Sequence, residues 1–93
     1  MPSVLFVCTA NRFRSPLAAA CFRKVLEEGQ NEDVASWMVG SAGTWAAPGQ
    51  PVIPAVLVAA QQLGLELAEH RSARVSRQLL AEYDLFFLIW LPL

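Results

Sequence analysis

Val4-Leu5-Phe6-Val7-Cys8-Thr9-Ala10-Asn11-Arg12-Phe13-Arg14-Ser15-Pro16 is the stretch on which the fold of this chain turns. Its four leading apolar residues do not alternate with polar ones, so Ser3 to Val7 reads as a strand buried on both faces, as in a parallel sheet covered by helices. A polar segment follows, and Ser15-Pro16 opens a helix, with Ser15 as the expected N-cap and Pro16 at the first helical position. Leu17, Cys21 and Val25, with Ala18, Phe22 and Leu26 beside them, recur at helical spacing, and Gly29 ends the run. The apolar stripe places Cys21 in the core.

Further along, Val34 to Val39 fits a second strand, and Gly40 to Thr44 leaves it as a loop. Trp45 to Pro54 is rich in Pro, Gly and Ala and reads as loop. A second helix runs from Pro54 to Leu63, closed by Gly64. Leu65 to Arg74 is irregular. Ser76 caps a short third helix from Arg77 to Tyr83, and Leu85 to Trp90 forms a third, strongly apolar strand. Strands and helices in alternation specify β-α-β units, a parallel sheet and an α/β fold. The 93 residues suit one domain.

The composition narrows the function. The chain is 55% hydrophobic and 16% charged, against about 25% charged in a typical soluble domain. No apolar run reaches the roughly 18 to 20 residues a membrane-spanning helix needs. Val4 to Val7 is too short for a signal peptide and has no basic leader, so no membrane role and a cytoplasmic location are expected. Net charge is −1, and the cations are scattered, without the basic stripe of a nucleic-acid binder. Two cysteines and one histidine cannot build a disulfide scaffold or a four-ligand zinc site. Neither a metal nor another cofactor is expected.

The loop itself carries the chemistry. It joins the carboxyl end of a strand to a helix N-terminus, where free backbone amides and the positive end of the helix dipole favour a dianion such as phosphate. Cys8 opens the loop, and the same dipole and a nearby cation favour its nucleophilic thiolate. Arg14 can fold back and grip two phosphate oxygens in a bidentate fork. Ser15 can donate its hydroxyl to the Cys8 sulfur. The plainer alternative makes Cys8 a buried strand-end cysteine and Arg14 a solvated helix-start charge.

These residues resemble the N-terminal signature of the low-molecular-weight protein tyrosine phosphatases. Ser41-Ala42-Gly43-Thr44, His70-Arg71-Ser72 and Asp84-Leu85 resemble later segments of that family in the same order. The resemblance implies a single three-layer α/β/α domain over residues 1–93, of the flavodoxin-like or Rossmann-like kind. By the same comparison the chain corresponds to about two-thirds of the family fold, without the last strand and two helices. It implies hydrolysis of phosphate monoesters, above all protein phosphotyrosine, with Cys8 as nucleophile and Arg14 as phosphate clamp. Thr9, Ala10, Asn11, Arg12 and Phe13 would line the phosphate, with phosphate, sulfate or vanadate as ligands. Asn11, Ser15, Ser41 and His70 would form a polar network that holds the loop. Asn is suited to the left-handed conformation such a loop needs.

Several positions depart from the family pattern or stay open. Phe13 stands where a second cysteine often precedes the arginine, so protection by a disulfide with Cys8 is not expected. Arg12 replaces an apolar residue; it either makes the mouth basic, favouring acidic phosphopeptides, or is a solvated charge. Trp45 is either a wall for the substrate ring or a residue packed under the Pro-rich loop. The family's general acid lies in an Asp-Pro pair, and this sequence contains none. Asp33 and Asp84 precede strands, which places them about 17 to 20 Å from Cys8 at the opposite edge of the sheet. Glu69 is nearer but has no evident path to a leaving group. A non-catalytic phosphate or phosphopeptide binder is therefore the second reading. Thiol-coupled arsenate reduction is the third, and only Cys21 could relay its disulfide. The uncovered apolar third strand also predicts homo-oligomerisation.

Overall fold

In the computed structural model, which describes residues 2–29 and 37–89, three parallel strands form one sheet in the order β2-β1-β3. The elements follow one another as β1 (Ser3–Cys8), α1 (Arg14–Glu28), β2 (Met38–Gly43), α2 (Pro54–Gln62), α3 (Arg77–Ala81) and β3 (Leu85–Leu88). The unalternating strand β1 occupies the centre, as a strand buried on both faces must. Ser3 to Cys8 pairs with Met38 to Gly43, and Val4 to Val7 pairs with Leu85 to Leu88.

Alternate residues of β1 serve the two layers. Leu5 and Val7 pack with Ala42 against Val75, Leu79 and Tyr83, so α3 covers that face. Phe6 points the other way, its ring 5.7 Å from Phe22 of α1. Helix α2 packs on α1 through Ala20, Val56 and Ala60, joined by Val52, Leu65 and Leu67 from the flanking loops. The outcome is the expected α/β/α layering.

Several boundaries differ from the sequence reading: α3 ends at Ala81 rather than Tyr83 and β3 at Leu88, with Trp90 outside the described residues. Strand β2 occupies residues 38–43, so Gly40 to Gly43 is strand rather than loop, and Val34 to Ser36 lie outside the described residues. The small residues Gly-Ser-Ala-Gly lack strand propensity, and the ladder with β1 imposes the extended backbone on them. Gly40 suits that course because a Cβ there would overlap the Tyr83 hydroxyl. Burial, reinforced by the neighbouring Glu82, pushes the Tyr83 phenol above its ordinary range.

Helix α1 begins at Arg14 with Phe13 at the N-cap, and no side chain caps it. Ser15 therefore is not the cap, since its hydroxyl turns inward to the loop, and Pro16 is the third helical residue. Pro is still tolerated in that first turn, where amides have no intrahelical acceptor. Finally, Cys21 is exposed. The face of α1 that is buried consists of Ser15, Pro16, Ala19 and Ala20, because small side chains let the helix approach the sheet and α2 closely. Cys21 and Val25 are left on the outer surface beside Leu63.

The amino edge of the sheet is tied by Ser3, whose hydroxyl accepts from the Asp84 amide at 2.8 Å and donates to the Asp84 carboxylate at 3.3 Å. Ser76 caps α3 by accepting from the Leu79 amide at 3.1 Å. Replacing Ser76 with Ala should lower stability by about 1 kcal/mol, read as a lower urea midpoint at unchanged m-value.

Candidate active site

Beyond Cys8 the chain leaves the sheet and turns sharply back into α1. The turn is made by Asn11, the one non-glycine residue with positive φ among the described residues, at 59°. An L-residue there costs roughly 1–2 kcal/mol, so the surroundings must hold it. They do so through every polar group that Asn11 has. Its side-chain amide donates to Ser15 Oγ at 2.7 Å, and its side-chain oxygen accepts from the Ala73 amide at 2.8 Å. Its carbonyl is 2.8 Å from His70 Nε2, and its own amide donates to Cys8 Sγ at 3.3 Å. Asn11 is fully buried.

Cys8 Sγ thus sits beneath the loop with two polar neighbours, the Asn11 amide and the Ser15 hydroxyl at 3.0 Å. Both stabilise negative charge on sulfur when they donate to it. Ser15 Oγ also lies 3.4 Å from the Ala42 carbonyl, so β2 helps to orient it. Among the described residues, the amides of Thr9, Ala10, Arg12 and Phe13 donate to no protein acceptor. Together with the uncapped start of α1 they leave the loop with donors free to meet an oxyanion. Arg14 is the first residue of α1, and among the described residues its guanidinium makes no hydrogen bond or ion pair.

The remaining predicted positions fall around this loop. Arg12 is anchored at the rim by Nε donating to the Pro51 carbonyl at 2.8 Å, and its own carbonyl accepts from Ile53. Phe13 is half exposed. Trp45 is 76% exposed, so it is not packed under the Pro-rich loop. Its amide donates to the Thr9 carbonyl at 2.9 Å, which ties it to the loop. His70 reaches the loop, whereas Ser41 makes no hydrogen bond to Asn11 or His70 among the described residues; it lines a cleft with His70, Glu69 and Pro16. Asp84 is at the amino edge with Ser3, as its place before β3 requires. Asp33 lies outside the described residues.

Three supporting residues escaped the sequence reading. Gly43 ends β2 directly against the loop: a Cβ there would overlap the Thr9 carbonyl and lie 2.9 Å from Ala46 Cβ and 3.0 Å from the Asn11 amide. Ala73 contributes only its backbone, donating to Asn11 and accepting from Gly43. Ser72 is buried; its hydroxyl accepts from the Gln50 amide at 2.8 Å and donates to the Ala47 carbonyl, binding the Pro-rich loop to the 70–74 segment. A glycine inside a family-like segment, as Gly43 is, is a usable sequence signal. A backbone amide offers none.

Gly43→Ala should therefore displace the loop, costing about 1–3 kcal/mol by denaturant titration. Asn11→Ala leaves the Ala73 amide and the Ser15 hydroxyl short of a partner, each worth about 1–3 kcal/mol. Both substitutions should lower affinity for vanadate, measured by calorimetry.

Over residues 3–89 the chain matches the family described as low molecular weight phosphotyrosine protein phosphatase. It is 31% identical over 87 residues to the probable low molecular weight protein-tyrosine-phosphatase EpsP of Ralstonia solanacearum, covering 94% of this chain and 54% of that protein. It is 35% identical over 83 residues to a protein-arginine-phosphatase of Bacillus subtilis, covering 88% of this chain and 51% of the relative. Among solved structures, the YwlE arginine phosphatase, as a cysteine-to-serine mutant with a phosphorylated active-site serine, aligns with a TM-score of 0.80 and 32% identity. That alignment covers 92% of this chain and 53% of the other. The chain thus spans about half, not two-thirds, of the length of the relatives it matches. The family match and the loop geometry lead to one statement: this chain belongs to the low molecular weight phosphotyrosine protein phosphatase family.

Proposed function

We propose that the Cys8–Arg14 loop binds the dianion of a phosphate monoester and that Cys8 accepts its phosphoryl group. The observation that carries this reading is the Cys8 sulfur, held by Ser15 and the Asn11 amide in a loop with uncommitted backbone donors. The phosphorylated serine in place of a cysteine in the YwlE structure supports the same covalent step. The thiolate attacks phosphorus, so an S–P bond forms as the ester P–O bond breaks and the leaving oxygen takes a proton. Water then attacks phosphorus, the S–P bond breaks, and inorganic phosphate departs. Arg14 clamps two equatorial oxygens throughout. Ser15 donates to the sulfur as it leaves, and His70 keeps the loop in shape through Asn11. A buried free thiol that must stay reduced suits a cytoplasmic location.

Relatives named for phosphotyrosine and for phosphoarginine both match. Arg12 at the rim favours the first, because its positive charge opposes a guanidinium leaving group and attracts acidic residues beside a phosphotyrosine. Among the described residues no carboxylate hydrogen-bonds to Cys8, Asn11 or Ser15; Asp84 is at the far edge, and Glu69 lines a cleft with His70. Leaving groups that depart without a proton are therefore the best substrates for these residues. Acid assistance is worth about 10² to 10⁴ in rate. The uncommitted amides of the loop also suit a second reading, a phosphate or phosphopeptide binder that does not turn over.

Hydrolysis of p-nitrophenyl phosphate separates the two. The expected outcome is turnover that falls at least about a thousandfold in Cys8→Ser. Phosphate binding with no Cys8-dependent turnover would establish the binder instead.

Strand β3 exposes Leu85, Phe86, Phe87 and Leu88 at 45–76%, and this apolar edge supports self-association of the chain. Sedimentation should show a dimer or larger species, and a monodisperse folded monomer would exclude it.

A further inference from the structure

Trp45 and Arg74 come from loops 29 positions apart, and the guanidinium carbon of Arg74 lies 5.2 Å from the centre of the Trp45 ring. We infer that Arg74 is a positioning residue: it holds the Trp45 indole as an aromatic wall at the mouth of the phosphate loop, so that aryl phosphates are preferred over alkyl phosphates. This inference rests on the phosphatase reading above and deepens it by naming the residue that orients the aromatic wall.

Three observations carry it. First, an indole that is 76% exposed gains little from burial, so packing does not fix its orientation. Second, its backbone is fixed next to the reacting atoms: the Thr44 amide donates to the Cys8 carbonyl and the Trp45 amide to the Thr9 carbonyl, both at 2.9 Å. Third, the Arg74 backbone is equally fixed. A parallel bridge joins Arg74 to Gly43, with Gly43 donating to Ala73 at 2.8 Å and Val75 donating to Gly43 at 2.9 Å. Among the described residues the Arg74 guanidinium makes no hydrogen bond or ion pair, so the ring is the contact that orients it. A planar guanidinium over an indole is the favourable cation–π arrangement. Held on one face by a cation, the ring keeps its other face for stacking a substrate ring in offset or edge-on geometry.

Phenylphosphonate and methylphosphonate test this directly, because the two carry the same charge into the same loop. Losing a cation at the rim weakens both alike, and a collapsed loop abolishes both. Their affinity ratio therefore reports the wall and nothing else. By calorimetry, the wild-type protein should bind phenylphosphonate more tightly than methylphosphonate. Arg74→Met should reduce that ratio about three- to fivefold, the size an exposed cation–π contact carries. Trp45→Leu should remove the preference, and adding Arg74→Met to Trp45→Leu should change the ratio no further. An unchanged ratio in Arg74→Met, or an equal loss in the Trp45→Leu background, would overturn the role of Arg74 while leaving the phosphate site intact. A wild-type protein that binds neither phosphonate would overturn the phosphatase reading itself.

Discussion

A single buried residue in the left-handed conformation bears the site. Asn11 reverses the chain between β1 and α1, and the direction of that reversal decides whether the following amides face inward or outward. An unsupported asparagine would gain little by staying there. Its four polar contacts come from both sides: Cys8 and Ser15 within the loop, His70 and Ala73 from a segment about 60 residues later. The oxyanion cradle is thus assembled by the whole fold, and the loop alone has no reason to keep its shape.

This arrangement explains why helix α1 carries no side-chain cap. Capping by Ser15 would turn its hydroxyl to a helix amide and withdraw it from the Cys8 sulfur. The cost of an uncapped terminus is offset when an anion binds. Arg12, Arg14 and Arg74 stand at the loop end, while Asp84 is at the amino edge beside Ser3. Glu27 and Glu28 close α1, which runs back toward that edge.

The other end of the sheet order tells a different story. Strand β1 is covered on both faces and β2 by α1, yet β3 presents its apolar side chains and its free edge. Phe87 finds one partner, stacking on Phe6 at 5.6 Å, and still remains half exposed. The relatives that the chain matches are about twice its length. Nothing among the described residues occupies the outer edge of β3, and a surface of that character is suited to pairing with a further strand or chain.

What the sequence determined by itself is local. The run Val4–Val7 specified a buried strand, Asn11 a tight loop between strand and helix, and Ser76 a helix cap, because each depends on neighbours within a few residues. Tertiary structure decided what depends on distant contacts. Ser15 left the cap position because Cys8 and Asn11 compete for its hydroxyl. Gly40 to Gly43 became strand because β1 supplied the ladder. Cys21 turned outward because the alanines of α1 allow a closer approach than its apolar stripe does. Gly43, Ala73 and Arg74 entered the site by position alone: a missing side chain, a backbone amide and a guanidinium beside a ring acquire their roles only when the fold places them there.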